Sequence, residues 1–267
     1  MRQQTASEFG SKTKMIQKKA VILTAIPCEY MAVRRYLSGC EESEHAQGTV
    51  YEVGRFEDWD VLIAELGAGN ERAASEAERA IAYFSPHVVF FVGVAGGLKN
   101  VVLGDVVAAT KVYGYESGKD EKEFKPRPNA PASSEPLQSR ARAVARKTEW
   151  LERRSDASKE KVDLPTAHVA PIAAGGKVVA STKSATAKTL KLTYSDAVAV
   201  EMEGIGFQTA AGLSPAVFAM VIRGISDLVD DKSTADAEGW QAIAADHASA
   251  FAFQMLSKLN ERTLLHP

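Results

Sequence analysis

Residues 88–94 read Val-Val-Phe-Phe-Val-Gly-Val, an unbroken apolar run. The run is far too short for a membrane-spanning helix, which takes ~20 residues. Its β-branched and aromatic side chains fit a strand, and the lack of polar alternation means that both faces are buried. A chain with such a strand must cover both sides of a sheet, which calls for helices on each. The run ends in Ala95-Gly96-Gly97, backbone that a ligand can approach closely.

The rest of the chain supplies the covering elements. Residues 20–26 form an apolar strand stopped by Pro27, and Tyr30, Val33 and Leu37 follow at helical spacing. Residues 50–56 and 61–66 flank Glu57-Asp58-Trp59-Asp60 and predict a hairpin. Gly67-Ala68-Gly69-Asn70 opens a helix with Ala73, Ala77, Ile81 and Phe84 in register, and Pro86 follows its end. Further strands are expected at 106–110, 167–174, 197–200 and 216–225. Helices are expected through Leu137, Ala141, Val144 and Leu151, at 184–192, up to Ala211, and along the stripe Trp240, Ile243, His247, Phe251, Met255 and Leu259. Residues 113–136, with Pro126, Pro128, Pro131 and Pro136, read as a long polar surface loop. The expected fold class is α/β: a single three-layer domain over 19–262, its central sheet mixed but mostly parallel and flanked by helices, behind a flexible polar tail at 1–18.

Composition narrows the function. Lys+Arg 32 against Asp+Glu 34 gives a formal net charge of -2, without the basic footprint of a nucleic-acid binder. No apolar run reaches ~18 residues, and the tail lacks the apolar segment of a secretory signal, so no membrane partner and a cytoplasmic location are expected. Cys28 and Cys40 read as reduced thiols. The histidines are scattered without zinc-type spacing, so no metal is expected, and His87 and His247 read as packed against the core edge. Residues 93–97 are not a dinucleotide fingerprint, and 114–119 fall one residue short of a phosphate-binding loop.

Three carboxylates stand at ends of apolar strands: Glu29, Glu203 and Asp227. Ligands of open α/β sheets sit at these ends, and an acid there is costly unless solvated, paired or used. Each one singly is explained as well by capping the next helix. Three together point to a polar site.

The segment Val200-Glu201-Met202-Glu203-Gly204, followed by Val221-Ile222-Arg223-Gly224-Ile225-Ser226-Asp227, resembles the purine nucleoside phosphorylase/nucleosidase superfamily, and most closely its 5′-methylthioadenosine/S-adenosylhomocysteine nucleosidases. Residues 20–29, 67–70 and 93–106 carry the similarity over about 20–259. The resemblance implies a nucleoside phosphorylase-like fold that cleaves a purine–ribose N-glycosidic bond through an oxocarbenium-like transition state. It implies that Asp227 protonates the leaving base and that Glu29 orients and deprotonates water. It places Glu203 on the ribose hydroxyls and Met202 against the sugar. Glu201, Ala95, Gly96, Val179 and Ser226 are further substrate-binding positions. Arg223 orders the site or, equally, makes a structural ion pair. The implied ligand is a small-molecule nucleoside or nucleotide, the implied assembly a homodimer, and no cofactor is implied.

A carboxylate at Glu29 within about 4 Å of a phosphate dianion costs on the order of a few kcal/mol, which favours hydrolysis over phosphorolysis. A phosphate-dependent phosphorylase and a nucleoside-binding signalling module remain the alternatives. The chain departs from the methylthioadenosine branch in two places. No aromatic stands near Val179, where the family stacks one on the base, and Asp230-Asp231-Lys232-Ser233-Thr234, with Trp240 further on, replaces an apolar residue after Asp227. Lys177, Lys232 and the lysines of 113–136 are candidates to face a phosphorylated 5′ end instead, although each one singly reads first as a solvated surface lysine. On this reading Asp227→Asn and Glu203→Gln each abolish turnover in a base-release assay, whereas Cys28→Ala does not. An active Asp227→Asn enzyme contradicts the proton-donor role.

Overall fold

The computed structural model describes residues 17–122, 124–230 and 232–264. The tail expected at 1–18 falls mostly outside the described residues, and Lys18 already opens the first strand. In chain order the elements are β1 (Lys18–Thr24), α1 (Pro27–Arg34), β2 (Ser38–Glu44), β3 (Val50–Phe56), β4 (Trp59–Glu65), α2 (Asn70–Phe84), β5 (Val88–Gly97) and β6 (Val106–Gly114). There follow a short hairpin of β7 (Gly118–Lys119) and β8 (Lys125–Pro126), then α3 (Glu135–Ala145), a 3-10 turn at Glu149–Arg153 and α4 (Asp156–Lys161). The chain continues with β9 (Ala167–Ala174), α5 (Ala185–Thr193), β10 (Ala199–Glu201), α6 (Gly204–Ala211) and β11 (Phe218–Leu228). It ends with α7 (Lys232–Ala237), α8 (Trp240–Ser257) and α9 (Glu261–Leu264), and the expected boundary at 262 falls inside α9, whose Leu264 is buried in the core.

The α/β class is observed, with a mixed sheet of order β10-β9-β6-β11-β5-β1-β4-β3-β2. The pairs β1–β4, β1–β5, β5–β11, β6–β9 and β9–β10 are parallel. The pairs β2–β3, β3–β4, β6–β11 and β5–β10 are antiparallel. The antiparallel share exceeds the sequence expectation for two reasons. β6 reverses direction beside β11, and the hairpin is extended by β2, a polar, exposed edge strand with no apolar pattern to reveal it. The sheet also curls until β10 pairs across the end of β5, with Ala199 opposite Gly97 and Val200 opposite Gly96. This closure brings the carboxyl ends of β1, β5, β10 and β11 into one place.

β5 is buried on both faces, as its composition requires. Val88, Phe90 and Val92 pack with α8 residues such as Phe251, Phe253 and Met255. Val89 and Phe91 face the other way, onto Ala73, Ala77 and Ile81 of α2 and Phe207 of α6. The period of two along the strand divides the core into these two halves. The final helix differs from its expected stripe: residues 244–256 of α8 are buried around the whole circumference, Trp240 and Ile243 are half-buried, and the helix stops at Ser257, short of Leu259. Its many alanines explain this, because small side chains let the sheet, α1 and α3 close around it. Leu37 likewise lies beyond the end of α1. Among the described residues no helix is long and apolar enough to cross a membrane.

Phe253 is fully buried, stacked on Tyr36 at 4.2 Å between ring centroids and edge-on to Phe56 at 4.7 Å. Phe253→Ala is expected to lower the unfolding free energy by about 3–5 kcal/mol in urea titration.

Candidate active site

At the convergence of strand ends lies a cleft of about 190 Å³. Its walls are the ends of β1 (Ala25, Ile26), β5 (Val94, Ala95, Gly96), β10 (Val200, Glu201) and β11 (Ser226, Asp227), closed by Met202, Glu203 and the segment Lys177, Val178, Val179. Of the residues expected at the site, Glu29, Ala95, Gly96, Val179, Glu201, Met202, Glu203, Ser226 and Asp227 all line this cleft. Arg223, expected to order the site or to make a structural ion pair, does not line it; it is fully buried.

Glu29 owes its position to the first turn of α1. Pro27 opens the helix, and the Glu29 carboxylate reaches back to accept from the backbone N–H of Ile26 at 3.1 Å and of Ala25 at 2.7 Å. Its other oxygen accepts from the N–H of Val94 in β5 at 2.8 Å. A carboxylate offers about four acceptor positions, so these three donors fix the group and leave capacity for one more partner. The approach to β5 requires Gly93: a Cβ there would lie 2.4 Å from the Glu29 Oε1 and 2.1 Å from the Arg223 Nη1. Burial raises the Glu29 pKa, against the lowering influence of Arg223 and the backbone donors. The neighbouring Cys28 thiol is pushed up to about 11 by burial and by the Glu29 charge, which makes it a poor nucleophile at neutral pH.

Arg223 joins three carboxylates. Its Nη2 donates to Glu201 and, at 3.1 Å, to Glu203, while Nη1 lies 3.9 Å from Glu29. Its guanidinium carbon lies 4.6 Å from the centroid of Phe91, which packs edge-on to Phe207. Glu201 also accepts from the backbone N–H of Glu203 at 3.1 Å and of Gly204 at 2.9 Å. Burial raises its pKa, with Arg223 opposing and Glu203 adding to the rise. Glu203 is anchored from the opposite side, where the N–H of Gly69 donates to its Oε1 at 3.1 Å.

Asp227 sits beyond a bulge. The register of β11 against β5 shifts between Ile225 and Asp227, so Asp227 rather than Ser226 stands opposite Gly96. Ser226 Oγ donates to Asp227 Oδ1 at 2.8 Å, and a Cβ on Gly96 would lie 3.2 Å from Oδ2. The segment after β9 is held by Glu116, which accepts from Gly176 N–H at 2.6 Å and pairs with Lys177 at 2.9 Å. Further on, Thr182 N–H donates to Asp230 at 2.8 Å. Asp231 and the side chain of Lys232 lie outside what is described. Sequence reading did not assign roles to Asn70, Phe91, Gly93 or Glu116; their functions arise from packing between segments distant in the chain, and no local spacing marks them.

A carboxyl whose pKa is higher in the folded state holds its proton more tightly there. Its contribution to stability is complete below the unfolded value and is lost as pH rises through the folded one. Glu29 and Glu201 are of this kind. Arg223→Met removes the compensating charge and is expected to cost about 3–5 kcal/mol near neutral pH. Urea titrations across pH should show that deficit shrinking on acidification, as the carboxyls take up protons.

Known proteins share this arrangement of chain. The 5′-methylthioadenosine/S-adenosylhomocysteine nucleosidase of Colwellia psychrerythraea is 26% identical over 92% of this chain and 98% of its own. The ATP nucleosidase Cap17 of Escherichia coli is 24% identical over 90% of this chain, which spans 51% of that longer protein. Among solved structures, the Colwellia nucleosidase in complex with adenine superimposes with a TM-score of 0.74 at 23% identity, covering 91% of this chain and 96% of that one. A futalosine hydrolase mutant of Helicobacter pylori does so with a TM-score of 0.72 at 20% identity, covering 91% and 100%. The model of the phosphorylase superfamily matches residues 19–257, and the chain belongs to that superfamily.

Proposed function

We propose that this protein is a nucleosidase that hydrolyses the N-glycosidic bond of a purine, adenosine-like nucleoside or nucleotide and releases the free base. Glu29 carries the reading. Three backbone donors and the distal Arg223 fix its carboxylate at the cleft, and its remaining acceptor position suits a water proton. A raised pKa suits a general base, and a fixed carboxylate repels the phosphate dianion that a phosphorylase must hold. The nucleosidases among the relatives support the same choice.

In this mechanism Asp227, held by Ser226, protonates the purine as the bond breaks, since an expelled purine anion is a poor leaving group. Glu203 accepts from the ribose hydroxyls and stabilises positive charge developing on the sugar, with Met202 packed against the ring. Ala95 and Gly96 line the space where sugar and water meet, and Val179 forms the wall beside the base. Arg223 positions Glu203 from below, and Glu201, which lines the cleft, pairs with Arg223 and accepts from the Glu203 N–H. The resemblance also implies a homodimer, which light scattering after size-exclusion chromatography reads directly.

A nucleotide is the second reading of the substrate. Lys177 lines the cleft with its side chain 70% exposed, although paired with Glu116, and one relative is named for ATP. Release of adenine from adenosine, methylthioadenosine, AMP and ATP, each with and without phosphate, tests both readings. Base release without phosphate is expected, and the preferred 5′ group decides the branch; release only with phosphate overturns the hydrolase. The acid limb of kcat/KM should fall at a pH above the ordinary glutamate value, because protonating Glu29 removes the base.

A further inference from the structure

The first turn of α6 is capped in an unusual way. Glu203 is the residue at its N-terminal boundary, the position from which a side chain ordinarily accepts the free N–H groups of the first turn, yet its carboxylate makes no such bond. Glu201 accepts from Gly204 N–H at 2.9 Å. Asn70, far away in sequence at the start of α2, accepts from Gly206 N–H at 3.1 Å through its Oδ1. Its Nδ2 donates to the carbonyl of Gly175 at 3.3 Å, two residues ahead of the Lys177 wall. The contact is built in: a Cβ on Gly206 would lie 1.9 Å from the Asn70 carbonyl oxygen, so the start of α2 and the first turn of α6 touch backbone to backbone. The residue before Asn70 is Gly69, whose N–H binds Glu203.

We propose that Asn70 is a positioning residue for Glu203: it caps α6 from another helix and so releases the Glu203 carboxylate to serve the substrate. With Asn70 in place, Gly204 N–H is met by Glu201 and Gly206 N–H by Asn70. Glu203 keeps only the contacts that aim it, Gly69 N–H behind one oxygen and Arg223 behind the other. Without the amide, Gly206 N–H loses its partner and Glu203 is the nearest acceptor on its own helix, so the carboxylate folds back as an ordinary cap and leaves the sugar. This inference rests on the assignment of Glu203 to the ribose hydroxyls.

The test is the ratio of kcat/KM for adenosine to that for 2′-deoxyadenosine, measured on the parent, Asn70→Ala and Asn70→Asp proteins, with a thermal melt of each. A parent ratio near one contradicts the role of Glu203 on the ribose hydroxyls and overturns the proposal with it, whatever the Asn70 variants do. Given a high parent ratio, Asn70→Ala is expected to lower it about 10- to 100-fold, the scale of a misplaced reacting group, mainly through loss on adenosine. Asn70→Asp, which keeps an acceptor for Gly206 and loses the donor to Gly175, is expected to retain the ratio within about threefold. A folded Asn70→Ala protein that keeps the parent ratio, or loses both substrates equally, overturns the proposal. If Asn70→Ala does not fold, a collapsed ratio in Asn70→Asp overturns it and a retained ratio upholds it.

Discussion

One buried guanidinium organises the carboxyl ends of the sheet. Arg223 is fully buried, and a lone cation at that depth is untenable without compensation. Compensation comes from three acids on three different elements: Glu29 of α1, Glu201 of β10 and Glu203 at the start of α6. The charges therefore specify how these elements meet as well as where each side chain points. Gly93 leaves the room this cluster needs, and the ring of Phe91 packs against the guanidinium. A hydrophobic plug of equal volume would close the sheet, but it would not hold carboxylates at a ligand cleft.

The acids around the cleft are chemically alike and differ by surroundings. Glu29 lies among backbone donors and apolar walls, where burial lifts its pKa towards that of a base. Glu203 is held between Arg223 and a backbone N–H. Asp227 lies beyond a bulge and beside a serine hydroxyl, at the end of β11. Val179 lines the cleft where no aromatic stands, and Lys177, paired with Glu116, lies on the same wall.

Local pattern made much of this legible. The segments at 20–26, 88–94, 167–174 and 216–225 correspond to strands, and β1, β5 and β11 are buried along most of their length, as apolar runs without alternation require. The two motifs around Glu203 and Asp227 supplied residues that line the cleft, because both lie at strand ends that the sheet brings together. The polar edge strand β2 was not legible, since its stability comes from pairing with β3 rather than from its own side chains. Nor was the full burial of α8, which depends on alanines whose neighbours lie elsewhere in the chain. The ion pairing of Arg223 was among the expectations, but its depth was not, because a sequence shows a charge at the site and not its burial. Asn70 was visible only as part of a helix start, because its partners, Gly175 and Gly206, are brought to it by the closure of the sheet.

The central claim is that the Arg223-linked Glu29 delivers water, not phosphate, to the sugar. Turnover in ¹⁸O-labelled water with inorganic phosphate present, followed by mass spectrometry of the sugar product, tests it most directly. The account predicts free sugar carrying one ¹⁸O from solvent in the intact protein, and loss of that product in Glu29→Gln. A sugar phosphate without the label would contradict it.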